Sequence, residues 1–210
     1  MMRQRATASL MILLCAHSVG ALGTGRIRVL ILTGRNIHDW CATTPVMRDI
    51  LERTGRFEVR FNEEVQGCGL PTFAPDHVLL LNYNHGNPPT WWDNRPREAL
   101  LDFVRNGKGL VSFHASNNGF PGWHDYDRLI GGTWRETAGH SPYHTYTVKI
   151  VDHDSLIRRG LPDSFLQTDE LCHRLSLQPN IRILAAASDD PANCVKLGKE
   201  CGTGRDEPLI

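Results

Sequence analysis

Three histidines stand where an apolar run gives way to a polar loop: His38 after IRVLIL, His85 after HVLLLN and His114 after GLVSF. Imidazole holds or releases a proton near neutrality, so each is either a structural hydrogen-bonding group or an acid/base. Their neighbours are polar or aromatic: Arg35, Asn36, Asp39 and Trp40 follow the first run, Asn82, Tyr83 and Asn84 the second, Ser116 and Asn117 the third. A further group, GGTWRETAGHSPYHTYTV, carries Trp134, Arg135, His140 and His144. Two histidines four apart on a helix share one face and suit a divalent metal such as zinc. Gly139, Ser141 and Pro142 oppose a helix there, which leaves loop histidines contacting substrate or backbone as the alternative. QTDELCH adds Asp169, Glu170 and His173, where a carboxylate beside a histidine is either a general base or a solvated acidic turn. Trp91, Trp92, Trp123 and Trp134 lie mostly outside apolar runs; their flat faces suit a sugar ring or fill the core.

The elements that must position these groups alternate. IRVLIL (27–32) reads as a strand buried on both faces, and Thr44-Pro45 opens a helix that Gly55 stops. FEVRF (57–61) reads as an edge strand and HVLLLN (77–82) as a buried one. Pro96 opens a helix over PREALLDFVR, and GLVSF (109–113) returns as a strand. WHDYDRLIGG reads as a short helix, and TYTVKIVD and IRILAAAS (181–188) as strands. This order predicts an α/β fold, an open, mostly parallel sheet with helices on both faces. Ligands of such sheets bind beyond the carboxyl ends of the strands, where the three histidines fall.

A chain of 210 residues, 40% hydrophobic and 22% charged, suits one domain with a full core. Its 23 basic and 23 acidic residues balance, so nothing advertises nucleic acid or an anionic membrane; a small neutral molecule is the expected partner, with a homo-oligomer left open. Residues 1–23 combine Arg3 and Arg5, the apolar run LMILLCA and small residues up to Gly23, the pattern of a cleaved secretory signal. The run is shorter than the roughly 20 apolar residues of a spanning helix, so the expectation is a secreted or periplasmic protein with its domain at residues 26–210. Beyond Cys15 in that leader, five cysteines remain, with Cys194 and Cys201 the first candidates for a disulfide. The ending GRDEPLI reads as a strand entered and not finished, which predicts a C-terminally incomplete domain.

Taken together, VLILTGRNIHDW, GKGLVSFHASN, YDRLIGGTWRETAGH, TVKIVDHDSLIRRGLPDSF and TDEL resemble, in order, the ThuA-like (trehalose utilisation) family of the class I glutamine amidotransferase-like superfamily. The resemblance implies a flavodoxin-like three-layer fold and carbohydrate metabolism, on trehalose-type disaccharides and routes through 3-keto-glycosides. In the amidotransferase relatives the matching strand-to-helix elbow presents a cysteine. Here His114 stands in its place, and glutamine hydrolysis through a thiolate is not expected. The family's closing segment has no counterpart after Ile210. Carried onto this chain, the resemblance points to His38, His85, His114, Arg135, His140 and Glu170. The expectation is proton abstraction beside a carbonyl, with His114 or Glu170 as base and His85, His140, Arg135 or a divalent metal as electrophile. His38, Trp40, Asn84, Asn117, Trp134 and Arg135 would contact substrate, and His140 and His144 would hold a metal. A non-catalytic carbohydrate-binding domain and a metal-dependent hydrolase are the alternatives.

Overall fold

The computed structural model describes residues 25–86, 89, 91–189 and 204–209; the expected signal at residues 1–23 and the Cys194–Cys201 pair lie outside them. The first strand, β1 (Ile27–Leu32), buries its last four residues. A strand so buried needs partners on both edges, and β1 has them: β2 (Phe57–Asn62) and β3 (Val78–Leu81), both parallel to it. β4 (Gly109–Ser112) joins β3, and among the described residues the sheet order is β2-β1-β3-β4.

The chain runs outward from β1 to β2, then crosses back past β1 to β3. Right-handed crossovers therefore put α1 (Trp40–Glu52) on one face and α2 (Leu70–Phe73) and α3 (Asn94–Arg105) on the other. On the second face Leu30, Leu32, Leu79 and Leu81 pack with Phe73 of α2, Leu100 and Phe103 of α3, and Tyr126 of α4 (His124–Ile130). Strand direction reverses its spread between β1 and β3, the crevice where such sheets bind ligands.

Two helices begin earlier than their prolines predict. Asp39 caps α1 by accepting from the Ala42 amide at 2.9 Å, which places Pro45 inside the helix. Thr44, expected as the cap, is buried and hydrogen-bonds Thr33 at the end of β1 (2.9 Å). Asp93 caps α3 through the Arg95 amide, and Pro96 occupies its first turn, where a missing N–H costs nothing.

The second half is antiparallel and finely divided. β7 (His144–Ile150) pairs β8 (Ser164–Asp169) and β11 (Ala185–Ala187), and β12 (Glu207–Pro208) adds to β11. Only three residues of IRILAAAS are strand, since Ile181–Leu184 have no ladder partner among the described residues. Two short ladders tie this half together: β6 (Gly139–His140) pairs β9 (Cys172–His173), and β5 (Gly132–Thr133) pairs β10 (Ser176–Leu177). Cys41, Cys68 and Cys172 are free thiols.

Candidate active site

The chain leaves β4 through Phe113 in extended geometry, and His114 then adopts φ 44. A side chain in this left-handed region costs about 1–2 kcal/mol, so the surroundings must impose it. They do so through buried polar contacts. Ser116 Oγ donates to the Leu81 carbonyl at 2.7 Å and accepts from the Tyr83 amide at 3.1 Å, and the Tyr126 hydroxyl donates to the Ser116 carbonyl at 2.7 Å. Asn84 Nδ2 donates to the Ala115 carbonyl while its Oδ1 accepts from the Gly86 amide. Asn84 is 0% exposed with both ends of its amide spent, so it fixes the His85 and His114 loops instead of facing a ligand.

Side chains from five loops converge around this elbow. The His38 ring centroid lies 4.7 Å from that of His114. The carboxylates of Asp169 and Glu170, at the end of β8, act on His114 electrostatically, and Glu170 Oε1 is 3.6 Å from His140 Nδ1. His140 sits 5.9 Å from the Trp134 ring, and the Trp134 amide donates to the Asn117 carbonyl at 3.1 Å. Arg135 ion-pairs with Asp127 and donates to the Trp134 and Gly119 carbonyls, and its charge reaches His85. The His85 ring stacks on Trp91 at 5.1 Å. Beyond Trp134 and Arg135 opens a cleft of about 710 Å³, walled by Asn118, Glu136, Thr137 and Ser176.

The electrostatics favour free bases. Burial first, and the His38 imidazole second, lower the pKa of His114, although the residue keeps exposed surface; Asp169 and Glu170 pull the other way. Burial, then Arg135, lowers that of His85. Both shifts favour the neutral imidazole, the form that accepts a proton. Cys172, on β9 beside these carboxylates, is the reverse case: burial, then Glu170 and Asp169, push its thiol up to about 11 and leave it unreactive.

Two sequence-derived expectations place differently. His144 Nδ1 donates to the Pro142 carbonyl at 2.7 Å, and its Nε2 lies 3.1 Å from the buried Asp189 carboxylate. With both nitrogens engaged, His144 pins the start of β7 and does not pair with His140. Among the described residues no three histidines, cysteines or carboxylates gather as a metal site. Trp40 is the first residue of α1, its amide donating to the His38 carbonyl, and it shapes the loop that carries His38. Asp127 and Asp189 escaped sequence reasoning. One read only as a first-turn acid of a short helix, the other as one of a polar pair after an apolar run, and neither carries a local signal of its partner.

A model of the trehalose-utilisation family ThuA matches residues 28–210. The chain belongs to the ThuA family. No curated protein matches it. A ThuA-like protein of Parabacteroides merdae of known crystal structure is similar at 28% identity and a TM-score of 0.72, over 89% of this chain and 74% of its own. A ThuA-like protein of Bacteroides uniformis shares the fold, with 17% identity and a TM-score of 0.67, over 88% of this chain and 76% of its own. ThuA membership ties the chain to carbohydrate metabolism, and no helix of the described residues is long and apolar enough to cross a membrane.

Proposed function

We propose that this ThuA-family protein abstracts a proton next to the carbonyl of an oxidised sugar or glycoside of the trehalose type, with His114 as the base. The observation that carries this reading is His114 itself, held at φ 44 at the strand end where the superfamily's nucleophile elbow lies, with burial lowering its pKa. A 3-keto group acidifies the adjacent C–H. The proton passes to the His114 imidazole, the C–H electron pair becomes the C=C of an enediolate, and the negative charge settles on the former carbonyl oxygen. His85, His140 and the N–H of Arg135 Nε, which has no hydrogen-bond partner among the described residues, are the groups available to hold that oxygen. Glu170, paired to His140, is placed to return a proton or to orient the imidazole. Reprotonation at the former carbonyl carbon gives isomerisation; re-formation of the carbonyl with expulsion of the glycosidic oxygen from the carbon on the other side of the deprotonated one gives elimination.

Trp134 and the cleft behind it are read as substrate contacts, and Asn117 as the backbone anchor of Trp134. Residues 1–23 are read as a cleaved signal that exports the domain at residues 26–210; mass spectrometry of the protein recovered from a secreting host would show a new N-terminus near residue 24, whereas retention of Met1 or Met2 would reject export. Proton NMR of 3-keto-trehalose with the protein in D2O tests the activity. Protein-dependent loss of the C–H signal beside the keto group is expected; its persistence, with trehalose still bound, would leave a carbohydrate-binding domain, the reading that the exposed Trp91 indole favours.

A further inference from the structure

Besides Trp40 at the start of α1, the four other tryptophans of the sequence separate by environment. Trp92 is 2% exposed and packs with Tyr83 and Phe120, and Trp123 packs on Tyr126 with Arg97 across its face. Trp134 is half-buried between the histidine site and the cleft. Trp91 alone among them is open, 41% exposed, and it lies flat against His85 at an interplanar angle of 22°. Its position is not a loose accident of a loop. Gln66 Nε2 donates to the Trp91 carbonyl, Gln66 Oε1 accepts from the Asp93 amide at 3.0 Å, and Asp93 caps α3. One glutamine amide thus clamps the backbone on both sides, and the neighbouring Trp92 is buried in the core. The Trp91 indole is displayed in advance of any ligand, with one face on His85.

Resting on the carbohydrate reading above, we infer that Trp91 is the stacking platform for a pyranose ring, forming a sugar subsite with His85. A pyranose presents an apolar face of axial C–H groups, and a rigid indole receives it at small entropic cost. The ring that stacks here need not be the ring that reacts. Stacking holds ground state and transition state alike, so Trp91 acts on KM more than on kcat.

The test uses the full chain with two probes: trehalose, which has no keto group and reports binding alone by calorimetry, and 3-keto-trehalose in the D2O exchange assay. Trp91→Ala is expected to weaken trehalose binding and to raise KM about three- to tenfold, the equivalent of one aromatic stacking contact, with kcat changing less than KM. Trp91→Phe keeps an aromatic face and is expected to recover most of that loss, which a purely structural role would not produce. Unchanged trehalose affinity and KM in Trp91→Ala, or equal losses in Trp91→Ala and Trp91→Phe, would overturn the inference. Failure of the proton-abstraction reading looks different: no exchange with 3-keto-trehalose, but trehalose binding that still depends on Trp91. Absence of trehalose binding by the wild-type chain would reject the subsite.

Discussion

The parallel half and the antiparallel half of this molecule contribute to the site in opposite ways. From the parallel half come His38, His85 and His114, each one short loop beyond a strand whose neighbours fix its register. The antiparallel half and its connections supply Arg135, His140 and Glu170, held by two-residue ladders and ion pairs. The first set is positioned by core packing: Leu79 and Leu81 of β3 are fully buried under α3 and α4. Of the second set, Glu170 directly follows β8, all six of whose residues are exposed. Under the proposed reading, the base lies on the tightly packed half and the more exposed half brings charges that tune it.

The largest effect that would sharpen this contrast is on activity. His114→Ala is expected to lower the rate of C–H exchange by about 10²- to 10⁴-fold, the span of a general base, with Glu170→Gln losing less, as a charge that tunes and relays. Equal losses at both positions, measured by the same NMR assay, would erase the distinction between the halves. Stability comes next. Leu81→Ala, in the core under β3, should cost about 2–5 kcal/mol in urea unfolding, whereas Leu166→Ala on β8, at 72% exposure, should stay within about 0.5 kcal/mol. Similar values for the two would mean that the antiparallel half is packed as tightly as the sheet.

A smaller effect of opposite sign is expected at the elbow. His114→Gly removes a Cβ from a left-handed position and should stabilise the fold by about 1 kcal/mol while abolishing exchange, so denaturation midpoint and activity would move in opposite directions. The finest effects are on pH dependence. As a base, His114 works when neutral, and burial and His38 lower its pKa, so the acid limb of kcat/KM should lie below the ordinary histidine value of about 6.5. His38→Asn removes an opposing imidazole and should move the limb upward; Glu170→Gln removes a supporting carboxylate and should move it downward. Limbs shifting in the same direction would contradict the arrangement of the two halves around one imidazole.

The same division governs what the sequence reveals. A strand buried on both faces writes itself as an unbroken apolar run, so β1, β3 and the histidines beyond them are visible in IRVLIL and HVLLLN. Helix starts were displaced because Asp39 and Asp93 outcompete the nearby prolines as N-terminal signals, and a proline is tolerated once the cap is made. The antiparallel half is harder to read, since two-residue strands such as Gly139–His140 have no periodicity and exist only through their partners. For the same reason the pairing of Arg135 with Asp127, of His140 with Glu170 and of His144 with Asp189 is a property of the fold. The spacing of His140 and His144 suggested one shared ligand; tertiary structure turned them to different carboxylates.

The central claim, that the imidazole at position 114 removes the proton, is tested most directly by chemical rescue. The rate of C–H exchange in 3-keto-trehalose would be measured in D2O for His114→Gly as free imidazole is added. No exchange above background is expected without imidazole, and a saturable recovery with it, strongest where imidazole is neutral. Exchange at the wild-type rate in His114→Gly before any imidazole is added would contradict it.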